Sequence, residues 1–314
     1  THMKVEDIRQ IAVVGAGLMG HGIAQEFAQA GYRVHLTDVS DAMLARARET
    51  IQRNLDMLVE HSLITAEQAA SVLPAIHMTT TLADAVEQAD VVLEAVYENI
   101  ELKQQIFRQL DACCPAHTIL ASNTSTFLPS KLAAVTGRPD RVLIAHYFNP
   151  PFLLPLVEIV RHAQTSDETV STVYDLLIKV GKKPTIIQKE VPGFIANRIQ
   201  GAVLREALWL VQQGIASPED VDNVIRSSIG RRWAVAGVFE VFEIAGWDLI
   251  LNVAAPEPHQ LGSSPEEAVD LIREKIARGD LGVKTGQGFY TWDAESTAAL
   301  RERMRLASCA VAGT

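Results

Sequence analysis

The chain has 314 residues, 48% of them hydrophobic, and a formal net charge of -10 at pH 7. That length predicts about two domains with a full-sized core. The acidic balance excludes a broad phosphate-binding surface, so nucleic acid is not an expected partner. No apolar run is long enough to span a bilayer and no signal peptide is evident, so no membrane partner is expected. The three cysteines, two of them adjacent at Cys113 and Cys114, make neither a disulfide framework nor a metal-ligand spacing. The expectation is a reducing cytoplasm and no metal. Thr1-His2-Met3 reads as a cloning scar and is set aside.

Near the N-terminus Ile11-Ala-Val-Val14 reads as a buried strand, followed by Gly15, Gly17 and Gly20 at G-x-G-x-x-G spacing. Ile23, Phe27 and Ala28 then recur at helical spacing. In a strand–turn–helix Gly15 makes the tight turn, Gly17 lets backbone approach a pyrophosphate, and Gly20 lets helix and strand lie close. The anion sits on free N–H groups at the helix N-terminus. A second strand, Arg33-Val-His-Leu-Thr37, ends at Asp38, roughly 20 residues on, where a ribose 2′-hydroxyl needs an acceptor. Asp38 repels a 2′-phosphate and no arginine follows it, so the cofactor expected is NAD rather than NADP. The plainer alternative is an ordinary glycine turn with an acid in the next loop.

Residues 41–63 read as a helix with an apolar stripe of Ile51, Leu55 and Leu58, and another helix starts at Thr65. Strands are expected at 76–80, 91–96, 118–122, 142–146, 156–160 and 184–187, with helices at 82–88, 98–110 and 169–180. A polar loop, Asn123-Thr-Ser-Thr126, follows the strand at 118–122. Strands alternating with helices indicate an α/β fold with a Rossmann-type doubly wound, mostly parallel sheet. The pattern changes near Glu190-Val-Pro-Gly193. A long amphipathic helix over 194–213 follows, then one opened by Ser217-Pro218 as N-cap and first helical residue, then helices over 240–254 and 265–278. The expected organisation is a dinucleotide-binding domain over 4–189 and an all-α domain over 190–314. The helical part carries more apolar stripe than it can bury alone, which predicts a homodimer through these C-terminal helices.

A nicotinamide only moves hydride, so the protein must supply a base for the alcohol proton and a group that orients that base. His146, at the C-terminal end of a strand where sites gather in open sheets, is the candidate base. Asn149-Pro150-Pro151 forces an irregular turn after it. Glu158 lies inside the run Leu156-Val-Glu-Ile-Val160, where a carboxylate is costly unless paired. Pairing with His146 offsets that cost and raises the imidazole's basicity. The alternative is a surface histidine and an edge-strand glutamate, each solvated on its own.

Gly15-Ala-Gly17-Leu18-Met19-Gly20, Ser122-Asn-Thr-Ser125, His146-Tyr-Phe-Asn149-Pro, Leu156-Val-Glu158, Val191-Pro-Gly-Phe-Ile-Ala-Asn197-Arg and Lys284-Thr-Gly-Gln-Gly-Phe-Tyr290 occur in order over nearly the whole chain. In this the sequence resembles the 3-hydroxyacyl-CoA dehydrogenase family. The resemblance implies an NAD-binding domain, a helical dimerisation domain and reversible oxidation of an (S)-3-hydroxyl to a 3-keto group on a small-molecule substrate. It implies His146 as general base, Glu158 as its orienting carboxylate and Ser125 as a hydrogen-bond partner of the reacting oxygen. It places Asn197 near the substrate, Asn149 near the nicotinamide, and Glu98, Lys103 and Lys284 near the cofactor with Leu18 and Met19 of the glycine turn. Read by residue type alone, Ser125 caps its loop, Asn197 is a mid-helix asparagine, Glu98 and Lys103 are an exposed helix-start pair, and Lys284 is a solvated loop lysine.

Two departures bear on the substrate. The excursion after the second strand, Gln52-Arg-Asn-Leu-Asp56-Met-Leu-Val-Glu60, is acidic and apolar, a poor surface for CoA phosphates. Arg231-Arg232-Trp233-Ala234 resembles the Arg–aromatic–Ala pattern of gulonate and carnitine dehydrogenases, which oxidise free hydroxy acids. Arginine's planar fork suits a carboxylate. Hence a second expectation is a free 3-hydroxy acid bound by Arg232, with Arg231 beside it and Trp233 shaping the pocket; the plainer one is a helix-terminus arginine that pairs with Glu240 or Glu243 across the dimer. A third, from another class, is a non-catalytic NAD-binding structural protein related to lens proteins of this family.

Overall fold

A computed structural model describes residues 3–245, 273–300 and 302. The described residues fall into two compact units that divide between Asn197 and Arg198.

The first unit holds an eight-stranded sheet in the order β3-β2-β1-β4-β5-β6-β7-β8. In chain order its elements are β1 (Gln10–Val14), α1 (Gly20–Gln29), β2 (Arg33–Thr37), α2 (Asp41–Glu60), α3 (Ala66–Val72), β3 (Ile76–Thr79), α4 (Leu82–Val86), β4 (Val91–Glu94), α5 (Ile100–Cys113), β5 (Ile119–Ser122), α6 (Pro129–Ala133), β6 (Val142–Tyr147), β7 (Leu156–Val160), α7 (Asp167–Lys179) and β8 (Lys183–Ile187). The central strands are continuous apolar runs because both faces are covered. Ile11 and Val13 of β1 join one core with residues of α1, α2 and α7, and Ala12 and Val14 join the other with Phe107 and Leu110 of α5. The expected stripe of Ile51, Leu55 and Leu58 is buried along α2.

Local chemistry sets the element ends. Ser40, Thr65, Asn99 and Ser166 each cap a helix by accepting from a backbone N–H with the side chain. Because Asn99 is the cap, α5 starts later than the expected residue 98 and Glu98 stands outside it. Met3, set aside in the sequence reading, is buried in the core. Its N–H donates to Glu168 Oε1 at 3.0 Å and its carbonyl accepts from Thr172 Oγ1 at 2.8 Å, both on α7. The short helix α6, opened by Pro129, has no counterpart among the expected elements; five residues are too few for a periodic signal.

All strand pairs are parallel except β6 and β7, which are antiparallel with His146 directly opposite Glu158. The 148–155 link is too short for a parallel crossover.

The sequence reading set the domain boundary at 189. Residues 190–197 are held to the first unit: Phe194 is buried in its core, Ser130 N–H donates to Glu190 Oε2 at 3.1 Å, and Ile195 and Ala196 bond Glu158.

The helix α8 (Ala196–Gln212) leads into the second unit, which contains α9 (Pro218–Val224), a π-helical turn (Ile225–Ile229), α10 (Gly230–Trp233) and α11 (Val238–Ala245). Ser217 and Asp220 form a reciprocal capping box at α9. Residues 273–277 are helical, and Gly282, Gln287 and Thr291 are joined by antiparallel bridges. Tyr290 Oη donates to Asp222 Oδ2 at 2.9 Å, tying this turn to α9. Much of the helices expected over 240–254 and 265–278 lies outside the described residues. No described helix is long and apolar enough to cross a membrane.

Candidate active site

The strand order reverses between β1 and β4, and there, beyond the C-terminal ends of the strands, a crevice of 710 Å³ opens. Gly15, Gly17, Leu18, Met19, Asp38, Glu98, Lys103, Asn123 and Ser125 line it. Gly15 has φ +101°, the left-handed region that favours glycine, and a Cβ at Gly20 would stand 1.7 Å from the Gly15 carbonyl oxygen. A Cβ at Gly17 would meet no protein atom within 4 Å, so the missing side chain leaves that part of the crevice to a ligand. Asp38 Oδ2 accepts from Ala16 N–H at 2.9 Å, which ties the end of β2 to the glycine turn. The carboxylate keeps lone pairs for a sugar diol, since each oxygen has about two acceptor sites. These residues fit a dinucleotide with a free 2′-hydroxyl.

Lys103 is not an exposed helix-start residue. It is 1% exposed, and its ammonium lies 2.8 Å from Glu94 Oε1 and 3.2 Å from Glu98 Oε2. Glu94, wholly buried at the end of β4, also accepts from Ser122 Oγ at 2.5 Å and Val96 N–H at 2.7 Å. A buried carboxylate and a buried ammonium each need such partners. Burial pushes the Glu98 carboxyl up, but hydrogen bonds from Thr124 and Thr126 and the Lys103 charge outweigh it and hold the group below the usual range. Glu98 therefore presents a fixed negative charge at the crevice wall.

His146 and Glu158 are both buried, at 5% and 1% exposure. The reading of two separately solvated residues fails because β7 is an interior strand, paired on both sides. His146 Nδ1 lies 2.9 Å from Glu158 Oε2, and Glu158 Oε1 accepts from Ile195 N–H and Ala196 N–H, each at 2.9 Å. Burial raises the Glu158 carboxyl, but the His146 bond and the two backbone donors more than offset it and keep the group below the usual carboxylate range. An ionised Glu158 accepts only, so Nδ1 carries the proton and Nε2 is left with its lone pair. The rings of Phe148 and Phe194 flank the imidazole at 4.6 and 5.5 Å between centroids.

The other expected residues fall in three places. Asn197 is half-buried in the first turn of α8, beside the two residues that bond Glu158, so it is not a mid-helix asparagine. Asn149 follows β6 and lines a second cavity, of 410 Å³, with His21 and Arg53. Arg231, Arg232 and Trp233 form α10, and Lys284 lies in an exposed turn, all in the second unit. Glu240 bonds the Gly237 N–H at 2.6 Å; the side chain of Glu243 is outside the described residues.

Sequence reasoning missed several residues. Glu94 holds Lys103 and is itself held by the Ser122 hydroxyl, and Asn123 Oδ1 accepts from Tyr147 N–H at 2.8 Å, joining the crevice wall to the strand of His146. Polar residues ending buried strands β4 and β5 were the available signal. His21, where Nδ1 donates to the Gly17 carbonyl at 2.7 Å, was also passed over.

Glycine turn, acidic strand end and switch-point crevice together define a dinucleotide-binding α/β protein. The model of the "3-hydroxyacyl-CoA dehydrogenase, NAD binding domain" matches residues 10–191, and that of the C-terminal domain matches 193–292. The chain belongs to the 3-hydroxyacyl-CoA dehydrogenase family, and is an NAD-dependent oxidoreductase. It is 36% identical over 299 residues to 5-formyl-3-hydroxy-2-methylpyridine 4-carboxylate 5-dehydrogenase of Mesorhizobium japonicum, covering 95% of this chain and 96% of that one. It is also 36% identical over 291 residues to a probable 3-hydroxybutyryl-CoA dehydrogenase of Bacillus subtilis, covering 93% and 100%. The solved structure of (S)-3-hydroxybutyryl-CoA dehydrogenase from Ralstonia eutropha is 37% identical with a TM-score of 0.77, covering 91% of this chain and 99% of that one.

Proposed function

We propose that the chain interconverts an (S)-3-hydroxyacyl-CoA and its 3-keto form, with His146 as the general base. The observation that carries this is the buried 2.9 Å contact between His146 Nδ1 and a doubly anchored Glu158. NAD, when bound, would accept the hydride that leaves the substrate's C3. The free Nε2 of His146 takes the alcohol proton as the carbonyl forms, and the imidazolium that results is stabilised by the adjacent carboxylate. Ser125, on the crevice wall, hydrogen-bonds the reacting oxygen, and Asn197 orients the substrate. Gly15, Gly17, Leu18, Met19, Gly20, Asp38, Glu98, Lys103 and Asn149 hold the cofactor. Phe148 and Phe194 keep water from the imidazole, which strengthens its interaction with Glu158.

Neither a free 3-hydroxy acid bound at Arg232 nor a non-catalytic role is favoured by the relatives. The proposal extends to a cytoplasmic homodimer built on the C-terminal helices and to a place in fatty acid metabolism. Nicotinamide absorbance, followed with 3-hydroxybutyryl-CoA, L-gulonate and L-carnitine, tests the substrate class. Turnover should appear with the thioester and fall at least about 10³-fold in His146→Gln, the scale for removing a general base. Turnover with a free acid alone, or a fully active His146→Gln, overturns the reading.

A further inference from the structure

Lys182 lies outside both the dyad and the crevice, yet its side chain is only 4% exposed. Its Nζ donates to the Pro151 carbonyl at 2.5 Å and the Leu154 carbonyl at 3.0 Å, and pairs with Glu26 Oε1 at 2.6 Å. Three partners match the three donors of an ammonium. Pro151 and Leu154 belong to the 148–155 link, which joins the strand carrying His146 to the strand carrying Glu158. Glu26 belongs to α1, the helix that begins at Gly20. One buried cation thus ties the connection between the dyad's strands to the dinucleotide-binding helix. The packing there is close: a Cβ at Gly22 would stand 2.6 Å from Pro151 Cγ. The ring of Tyr147, next to His146, has its centroid 5.8 Å from Nζ. Buried ion pairs are often no more stable than apolar replacements, so stability alone is a weak reason for one here.

We propose that Lys182 is a positioning residue for hydride transfer: through Pro151, Leu154 and Glu26 it sets the 148–155 link, with Asn149 on it, against α1. The proposal rests on the His146–Glu158 reading. The inactivity of His146→Gln tests that reading separately, so failure here leaves it standing.

The pair also carries a pH signature. Burial pushes the Glu26 carboxyl up to about 7, against the pull of Lys182. The ionisable groups facing Glu26 are Lys182, from the turn before β8, and Tyr147, from β6. Burial and the Glu26 charge hold the Tyr147 phenol well above its ordinary value, so it stays neutral. As pH falls through about 7, Glu26 takes a proton and Lys182 loses its counter-charge. Glu26→Gln fixes that neutral state at every pH.

The test compares Lys182→Met and Glu26→Gln with the parent enzyme. In Lys182→Met, kcat should fall at least about tenfold, as expected of a displaced site, while the Kd for NADH changes by less than about threefold. Amide exchange across 148–155, measured without cofactor, should rise at least about tenfold. The parent-to-Glu26→Gln ratio of kcat should be about three to ten at pH near 8.5 and approach one near pH 5.5. A folded Lys182→Met with parental kcat and full NADH titration overturns the proposal. So does a Glu26→Gln with parental kcat at pH about 8.5, which decides the matter if Lys182→Met fails to fold.

Discussion

Glu158→Gln isolates the charge of the dyad with the least change in shape. Oε1 of the present carboxylate accepts from two backbone donors, Ile195 N–H and Ala196 N–H. A carboxamide therefore turns its oxygen toward them, because its NH2 would meet two donors. The NH2 then faces His146 Nδ1, which must become an acceptor, so the ring proton moves to Nε2 and the base is lost. Even without this tautomer change, the imidazolium loses its anion. Two unit charges about 4 Å apart at an effective dielectric of about 20 interact by about 4 kcal/mol. At 1.4 kcal/mol per decade that is about 10³ in kcat, and a wrong tautomer in an analogous triad costs about 10⁴. Both backbone bonds survive, so the melting temperature should move by only a few degrees, on the order of 1 kcal/mol. The assay is steady-state kcat beside NADH titration and a thermal melt. A kcat within threefold of the parent, in protein that binds NADH normally, refutes the reasoning.

The same carboxyl gives a stability prediction with a definite sign. Its folded pKa lies below the ordinary 4.5, so its stabilisation is present above that value and is lost as pH falls through the folded one. Denaturant melts should show the parent losing more stability than Glu158→Gln on acidification below 4.5. Lys103→Met should destabilise by about 3–5 kcal/mol, because it leaves the wholly buried Glu94 without its cation; a urea midpoint showing less than about 1 kcal/mol contradicts the network. Asp38→Ala should weaken NAD about 10- to 100-fold, the worth of a charge-assisted hydrogen bond to the ribose, and narrow the preference over NADP. Equal affinities for NAD in parent and variant, by fluorescence titration, would exclude Asp38 from the ribose site.

The sequence by itself determined what depends on neighbours along the chain. Gly15 and Gly20 are legible because a tight turn and a close helix leave no room for a Cβ, and Gly17 because the same motif reserves open space for a ligand. Thr65 and Ser217 mark helix starts because a cap acts within three residues. Alternation of apolar strands and striped helices was enough for a doubly wound sheet. Only the tertiary structure decided pairings between distant segments. The antiparallel register of β6 and β7 sets His146 opposite Glu158, and the two N–H groups that anchor Glu158 come from residues some 37 positions later. Lys103 reads as an exposed helix-start lysine and is buried, because it folds back on Glu94 at the end of β4. Lys182 and Glu26 lie far apart in the chain and meet at 2.6 Å. Electrostatic partners depend on distance through space and on burial, and neither has a period that sequence pattern can carry.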